Sequence, residues 1–116
     1  MIPIGIISAI KKIINKKLSI KWPNDITYKN KKVGGILIES KKNSNSTYLN
    51  IGIGINVNED ISTFPNEIKT KSTSLKNITK EIIQREILLA NILNDIDSLL
   101  LKREENKILL QWMEFC

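Results

Sequence analysis

Two stretches that alternate as β-strands do, residues 32–39 (KVGGILIE) and 47–57 (TYLNIGIGINV), are separated by one short polar turn at 41–46. Successive side chains of a strand point to opposite faces, so Ile51, Ile53 and Ile55 share one face of the second stretch while Gly52 and Gly54 share the other. Two strands so close in sequence pair as an antiparallel hairpin, because a parallel pair needs a long crossover. Upstream, Ser19-Ile20-Lys21-Trp22 reads as a short strand stopped by Pro23-Asn24-Asp25, since proline fixes φ and Asn and Asp favour turns. Ile26-Thr27-Tyr28 then leads through Lys29-Asn30-Lys31 into the KVGGILIE strand as another hairpin. The sheet is expected to be mainly antiparallel.

Helical periodicity surrounds this sheet. Over residues 4–18, Ile6, Ile7, Ile10, Ile13, Ile14 and Leu18 fall on one helical face and Lys11, Lys12, Asn15 and Lys16 on the opposite one, with Pro3 suited to the first turn. Residues 58–77 contain Pro65 and little periodicity, which predicts a long loop with at most one short element. Thr79 is the expected cap of a helix running to about Lys102. Its stripe of Ile82, Leu89, Leu93, Ile96 and Leu100, flanked by Leu88, Ile92 and Leu99, is expected to cover the sheet. A shorter helix over roughly 105–114 would gather Leu109, Trp112 and Met113 on one side. The fold class that follows is α+β, one domain of 116 residues with helices packed on one face of the sheet.

Composition narrows the chemistry. There is no histidine and a single cysteine, Cys116, so a Cys/His zinc site, a Ser-His-Asp triad and a disulfide framework are excluded, and no metal-ligating set is expected. Lys, Asp, Asn and backbone groups remain. The net charge of +6 is nearly all lysine, with arginine only at Arg85 and Arg103. Proteins that read nucleic acid favour arginine for bidentate base contacts and interleave aromatics for stacking, whereas the six aromatics here are scattered. A lysine-rich nucleic-acid-binding module therefore stands as an alternative reading only. The apolar opening of seven residues is followed by Lys11, Lys12, Lys16 and Lys17, too early for a bilayer span of about 20 residues. Those lysines also follow the apolar run where a secretory signal would have them precede it. The sequence reads as cytoplasmic.

Three clusters exceed what a plain structural domain requires. Lys21-Trp22-Pro23-Asn24-Asp25 ends a strand and presents an amide beside a carboxylate, although a capped turn would look the same. In Lys32-Val33-Gly34-Gly35, two glycines inside a strand sacrifice packing, which suggests the close approach of a backbone or a ligand, with a lysine able to place a cation over the opening. A bulge beside a solvated lysine is the structural alternative. In Gly52-Ile53-Gly54-Ile55-Asn56-Val57-Asn58 the third glycine of a dinucleotide fingerprint is missing and Glu59-Asp60 opens a loop, so that reading is rejected. Alternate glycines instead leave a flat floor for a planar ligand, with Asn56 on the same face; a bulged strand would explain one glycine better than two. Together the clusters suit an anionic ligand with a flat apolar part, since a lysine is a point charge for phosphate or carboxylate.

At these residues the chain resembles the biotin protein ligases, or biotin–[acetyl-CoA-carboxylase] ligases. KWPND at 21–25, KKVGGILIE at 31–39 and GIGINVN at 52–58 stand in that family's order and near its spacing, and the weaker TSL at 73–75 has a counterpart. The resemblance implies an α+β fold that is part of a biotin/lipoate ligase catalytic domain. It implies activation of biotin with ATP and Mg²⁺ to biotinyl-5′-AMP, then transfer to a lysine of a biotin carboxyl carrier protein, a subunit of acetyl-CoA carboxylase. By the same resemblance Lys32 contacts the biotin carboxylate and the α-phosphate, and Gly35, Gly52 and Gly54 border biotin. Asn56 lies near the phosphate and its Mg²⁺, Asn24 and Asp25 sit beside the adenylate and the incoming lysine, and Asp25 orients or accepts a proton.

Nothing in the 116 residues matches the family's GRGRxGR loop, its strands for the biotin ureido ring, its small C-terminal β-barrel domain or a helix-turn-helix. The expectation is therefore residues 1–116 as the C-terminal half of the catalytic domain, incomplete or inactive alone. Either it is a relic without activity or it is one part of a split enzyme completed by a chain carrying the missing half. A lipoate–protein ligase fragment is the alternative enzyme, against which KWPND and GGILIE speak.

Overall fold

A computed structural model describes residues 2–102. In chain order the elements are helix α1 (Ile2–Lys11), strands β1 (Ser19–Lys21), β2 (Asp25–Tyr28), β3 (Lys31–Lys42) and β4 (Thr47–Ile55), a 3₁₀ turn (Ile61–Thr63), and helices α2 (Asn66–Lys69), α3 (Leu75–Thr79) and α4 (Arg85–Lys102). The four strands form one antiparallel sheet in the order β1-β2-β3-β4, as the polar turns between them dictate. The two residues joining β2 to β3, Lys29 and Asn30, both take positive φ, of 48° and 67°, the sign required at both centres of a type I′ hairpin turn.

The core is built on α1. Ile2, Ile4, Ile6, Ile7, Ala9 and Ile10 are all buried, between Ile20, Ile26, Val33 and Ile36 of the sheet and Leu88 and Ile92 of α4. Each isoleucine so buried is worth about 1.5–3 kcal/mol relative to exposure. At Gly5 the two helices close to contact: a Cβ there would lie 2.8 Å from Ile96 Cγ1 and 3.3 Å from the Ile96 backbone nitrogen. Lys12 Nζ donates to Asp95 Oδ1 at 2.6 Å and ties the end of α1 to the same helix.

Several elements depart from the sequence-based expectation. The first helix ends at Lys11, and Ile14 and Leu18 reach the core from non-helical chain. Two adjacent β-branched residues and an asparagine follow its last turn, and each disfavours helix. The long helix begins at Arg85 rather than after Thr79, which instead ends α3, a short helix capped by Ser74. Lys80, at φ 62°, terminates α3 and turns the chain away. The face α4 buries is Leu88 and Ile92, with Ile96 and Leu99 partly covered, and it packs on α1, not on the sheet. Ile82, Leu89, Leu93 and Leu100 are exposed. The expected helix over 105–114 lies outside the described residues. The 58–77 stretch carries three short elements where one was expected.

Asn58, at the end of the GIGINVN run, fixes the approach to α4. Its Nδ2 donates to the Ile83 carbonyl and its Oδ1 accepts from the Ile83 N–H, both at 2.8 Å, as a neighbouring strand would.

Candidate functional site

The sheet register brings the sequence clusters together. Lys21 pairs with Asp25, Asp25 with Gly35, and Gly35 with Gly54, so one cross-strand row runs lysine, aspartate, glycine, glycine on the face away from the core. The next row on that face pairs Leu37 with Gly52. Strict alternation would put Lys32 and Gly35, three residues apart, on opposite faces. The ladder slips by one residue here: Ile26 pairs with Gly34 but Thr27 with Lys32, and Val33 is the extra residue. A bulge of this kind re-aims the following side chains, and it places Lys32 on the glycine face while Val33 is fully buried.

Lys32 Nζ stands 3.3 Å from Asp25 Oδ1. A Cβ on Gly35 would meet Lys32 Cε and Nζ at 3.3 Å and Asp25 Oδ1 at 3.5 Å, so the pair lies directly over the bare glycine and a side chain there would press on it. The side chains are 51% and 38% exposed, and ion pairs this open contribute only about 0–1 kcal/mol. Lys32 can therefore exchange its partner for an anionic ligand at little cost to the fold.

These residues line an open groove of about 450 Å³ formed by Asp25, Lys32, Gly35, Ile36, Leu37, Gly52, Ile53 and Gly54. The glycines differ in what they are for. Gly34 is demanded by the fold, because a Cβ there would lie 2.5 Å from the Gly54 carbonyl. At Gly54 a Cβ would meet nothing within 4 Å, and at Gly52 it would make only ordinary contact with Leu37 at 3.8–3.9 Å. Packing among the described residues gives no reason for glycine at 52 or 54. What glycine does there is keep the groove floor clear.

The other two amides singled out in the sequence stand beside the groove, outside its lining. Asn24 uses its backbone carbonyl to accept from the Ile36 N–H at 3.0 Å. Asn56 turns its Nδ2 to the Thr73 carbonyl at 3.1 Å. Sequence reasoning missed the role of residues 71–73, whose backbone flanks Lys32 through an isolated parallel bridge between Lys32 and Ser72. No periodicity marks that contact; the polar TSL triplet was its only trace. Among the described residues no group of three or more His, Cys, Asp or Glu is placed to hold a metal ion. A second hollow of about 390 Å³ is lined by Ile13, Ile14, Ile82, Ile83 and Ile87 with a few polar neighbours, and none of the motif residues reaches it.

Comparison with known proteins follows the same motifs. The family described as the biotin/lipoate A/B protein ligase family matches residues 2–56. The bifunctional ligase/repressor BirA of Bacillus subtilis is 37% identical over 91 residues, which is 78% of this chain and 28% of that protein. The apo structure of biotin protein ligase from Aquifex aeolicus superposes with a TM-score of 0.78 at 36% identity, covering 90% of this chain and 44% of that one. The Aquifex enzyme in complex with biotin and ATP gives a TM-score of 0.74 at the same identity. The chain thus spans about a quarter of the Bacillus relative and less than half of the Aquifex ligase. Motif order, strand register and these likenesses agree that residues 2–56 belong with the biotin/lipoate A/B protein ligase family, and the relatives named here are biotin protein ligases.

Proposed function

We propose that the chain supplies one wall of a biotin-adenylating site, as the second half of a biotin protein ligase catalytic domain whose GRGRxGR-bearing half lies outside these 116 residues. The observation that carries the reading is Lys32, turned by the bulge onto a glycine floor and held, among the described residues, by one exposed carboxylate. Biotin lies over Gly35, Gly52 and Gly54. Its carboxylate attacks the α-phosphorus of ATP, taken up as its Mg²⁺ complex; the new P–O bond forms as the bond to pyrophosphate breaks. Negative charge builds between carboxylate and phosphate, and the Lys32 ammonium neutralises it in place, a kind of term that can dominate catalysis.

In the second half-reaction the amine of a lysine on a biotin carboxyl carrier protein attacks the carbonyl of the mixed anhydride. AMP leaves with the bonding pair, and the proton lost by the amine passes to Asp25 or, through it, to water. Asp25 also holds Lys32 when no anion is bound. A Mg²⁺ arriving on the nucleotide would be held mainly by the substrate phosphates, near Asn56, and would supply further charge neutralisation there. Asn24 lies beside the adenylate, and the site works in the cytoplasm; no described helix is long and apolar enough to cross a membrane.

The test is biotin-dependent ATP–pyrophosphate exchange. The chain alone is expected to give none. Supplied with a polypeptide bearing the missing half of a biotin protein ligase, it should gain exchange, and Lys32→Ala should abolish it again. Robust exchange by the chain alone would overturn the assignment of half a site, and unchanged exchange in the complemented Lys32→Ala protein would remove Lys32 from the chemistry. A preference for lipoate over biotin in the same assay would favour the lipoate ligase reading.

A further inference from the structure

Lys32 enters the groove from a backbone gripped on two sides. On one side it pairs with Thr27 of β2. On the other its N–H donates to the Lys71 carbonyl at 2.8 Å and its carbonyl accepts from the Thr73 N–H at 2.9 Å. Residues 71–73 belong to no strand, so this second grip depends on whatever presses them against β3.

Asn56 does that. Its Nδ2 donates to the Thr73 carbonyl at 3.1 Å, its backbone N–H donates to the Val33 carbonyl at 2.8 Å, and its carbonyl accepts from the Leu75 N–H at 3.0 Å. One residue thereby ties the bulged Val33, next to Lys32 in sequence, to the segment next to Lys32 in space. The far end of the segment is anchored separately. Ser74 is fully buried, its hydroxyl donates to the Glu59 carbonyl at 2.9 Å and accepts from the Asn77 N–H at 3.1 Å, and Asn77 Nδ2 donates to Thr73 Oγ1 at 3.0 Å.

We infer that Asn56 is a positioning residue for Lys32: its carboxamide clamps residues 71–73 onto β3, and this clamp, with the bulge, sets where the Lys32 amine stands over the groove. One of the two Nδ2 hydrogens is committed to the Thr73 carbonyl, which fixes the plane of the carboxamide. An aspartate of the same shape would replace that donor with a carboxylate facing the Thr73 carbonyl and would release the clamp. The catalytic meaning of the clamp rests on the ligase reading above, but its geometry does not, and the experiment separates the two by using neither ligand nor turnover.

The chain is labelled with ¹³C,¹⁵N-lysine for the side-chain signals and uniformly with ¹⁵N for amide exchange. The Lys32 Cε signal is assigned from Lys32→Arg, and its position without the Asp25 carboxylate is taken from Asp25→Asn. In Asn56→Asp the Lys32 signal should move towards that of Asp25→Asn, and the Lys32 and Thr73 amides should exchange roughly tenfold faster. Amides deep in the β3–β4 ladder, such as Leu37 and Gly52, should keep their rates. If Asn56→Asp does not fold, Asn77→Ala loosens the same segment through Thr73 Oγ1 and should shift the same signals in the same direction by less. A folded variant whose Lys32 signal stays in place, or whose amides all accelerate alike, overturns the inference, because Asn56 would then be supporting the fold in general.

Discussion

A methyl group placed on Gly54 separates what the fold needs from what the groove needs. No glycine among the described residues takes a positive φ, and a Cβ at 54 meets nothing within 4 Å, so Gly54→Ala introduces neither strain nor collision. It should instead remove conformational freedom from the unfolded chain and stabilise the fold by about 0.4–1 kcal/mol. For a domain of this size that is an increase of roughly 2–6 °C in Tm, read by circular dichroism at 222 nm. The methyl also rises from the groove floor beside Lys32. A flat ligand resting there would be overpacked by roughly 1–3 kcal/mol, which is a loss of about 5- to 150-fold in apparent affinity for biotin in the complemented exchange assay. Gly34→Ala is the control with the opposite sign. Its Cβ lies 2.5 Å from the Gly54 carbonyl, a backbone atom that cannot swing aside, so the fold itself should lose about 1–3 kcal/mol. The reasoning is refuted if Gly54→Ala lowers Tm as Gly34→Ala does, or if it leaves biotin affinity unchanged.

Two further substitutions probe how the site is supported. Asn58→Ala removes both side-chain hydrogen bonds to the Ile83 backbone and leaves a partly buried carbonyl and N–H unpaired, so urea unfolding should show a loss of about 1–3 kcal/mol. Lys80→Gly relieves a non-glycine residue at φ 62° where α3 ends and should raise stability by about 0.5–1 kcal/mol; a drop in the urea midpoint would show that the Lys80 side chain has a role its exposure does not reveal.

What could be read from the sequence was what depends on neighbours along the chain. The polar turns at 29–30 and 43–46, the second two residues shorter than the sequence suggests, set the antiparallel order, and the glycine spacing at 52 and 54 set which face would be bare. The facing of α4 was not legible, because that helix carries two apolar stripes. Leu88 and Ile92 go inward and Leu89 and Leu93 outward, and the inward face meets α1 where Gly5 lets Ile96 approach. That contact joins residues more than 80 positions apart, and no local period records it. The bulge at Val33 was likewise hidden. Counting alternate residues from Gly35 sends Lys32 to the wrong face, and only the one-residue slip against β2 returns it. The strength of the motif lies in the chemistry of its residues, while its geometry depends on a ladder irregularity that two glycines permit but do not announce.

The outer border of β4 carries a consequence for anyone who handles this chain. Among the described residues β4 has a neighbour on one side only, it runs nine residues, and from Thr47 to Val57 there is no charge or proline to repel another strand. Ile51 and Ile53 are partly open to solvent along it. Stock solutions of the chain by itself should therefore cloud as they are concentrated, and a companion polypeptide that docks on this border would act as a solubiliser before it acts as an enzyme.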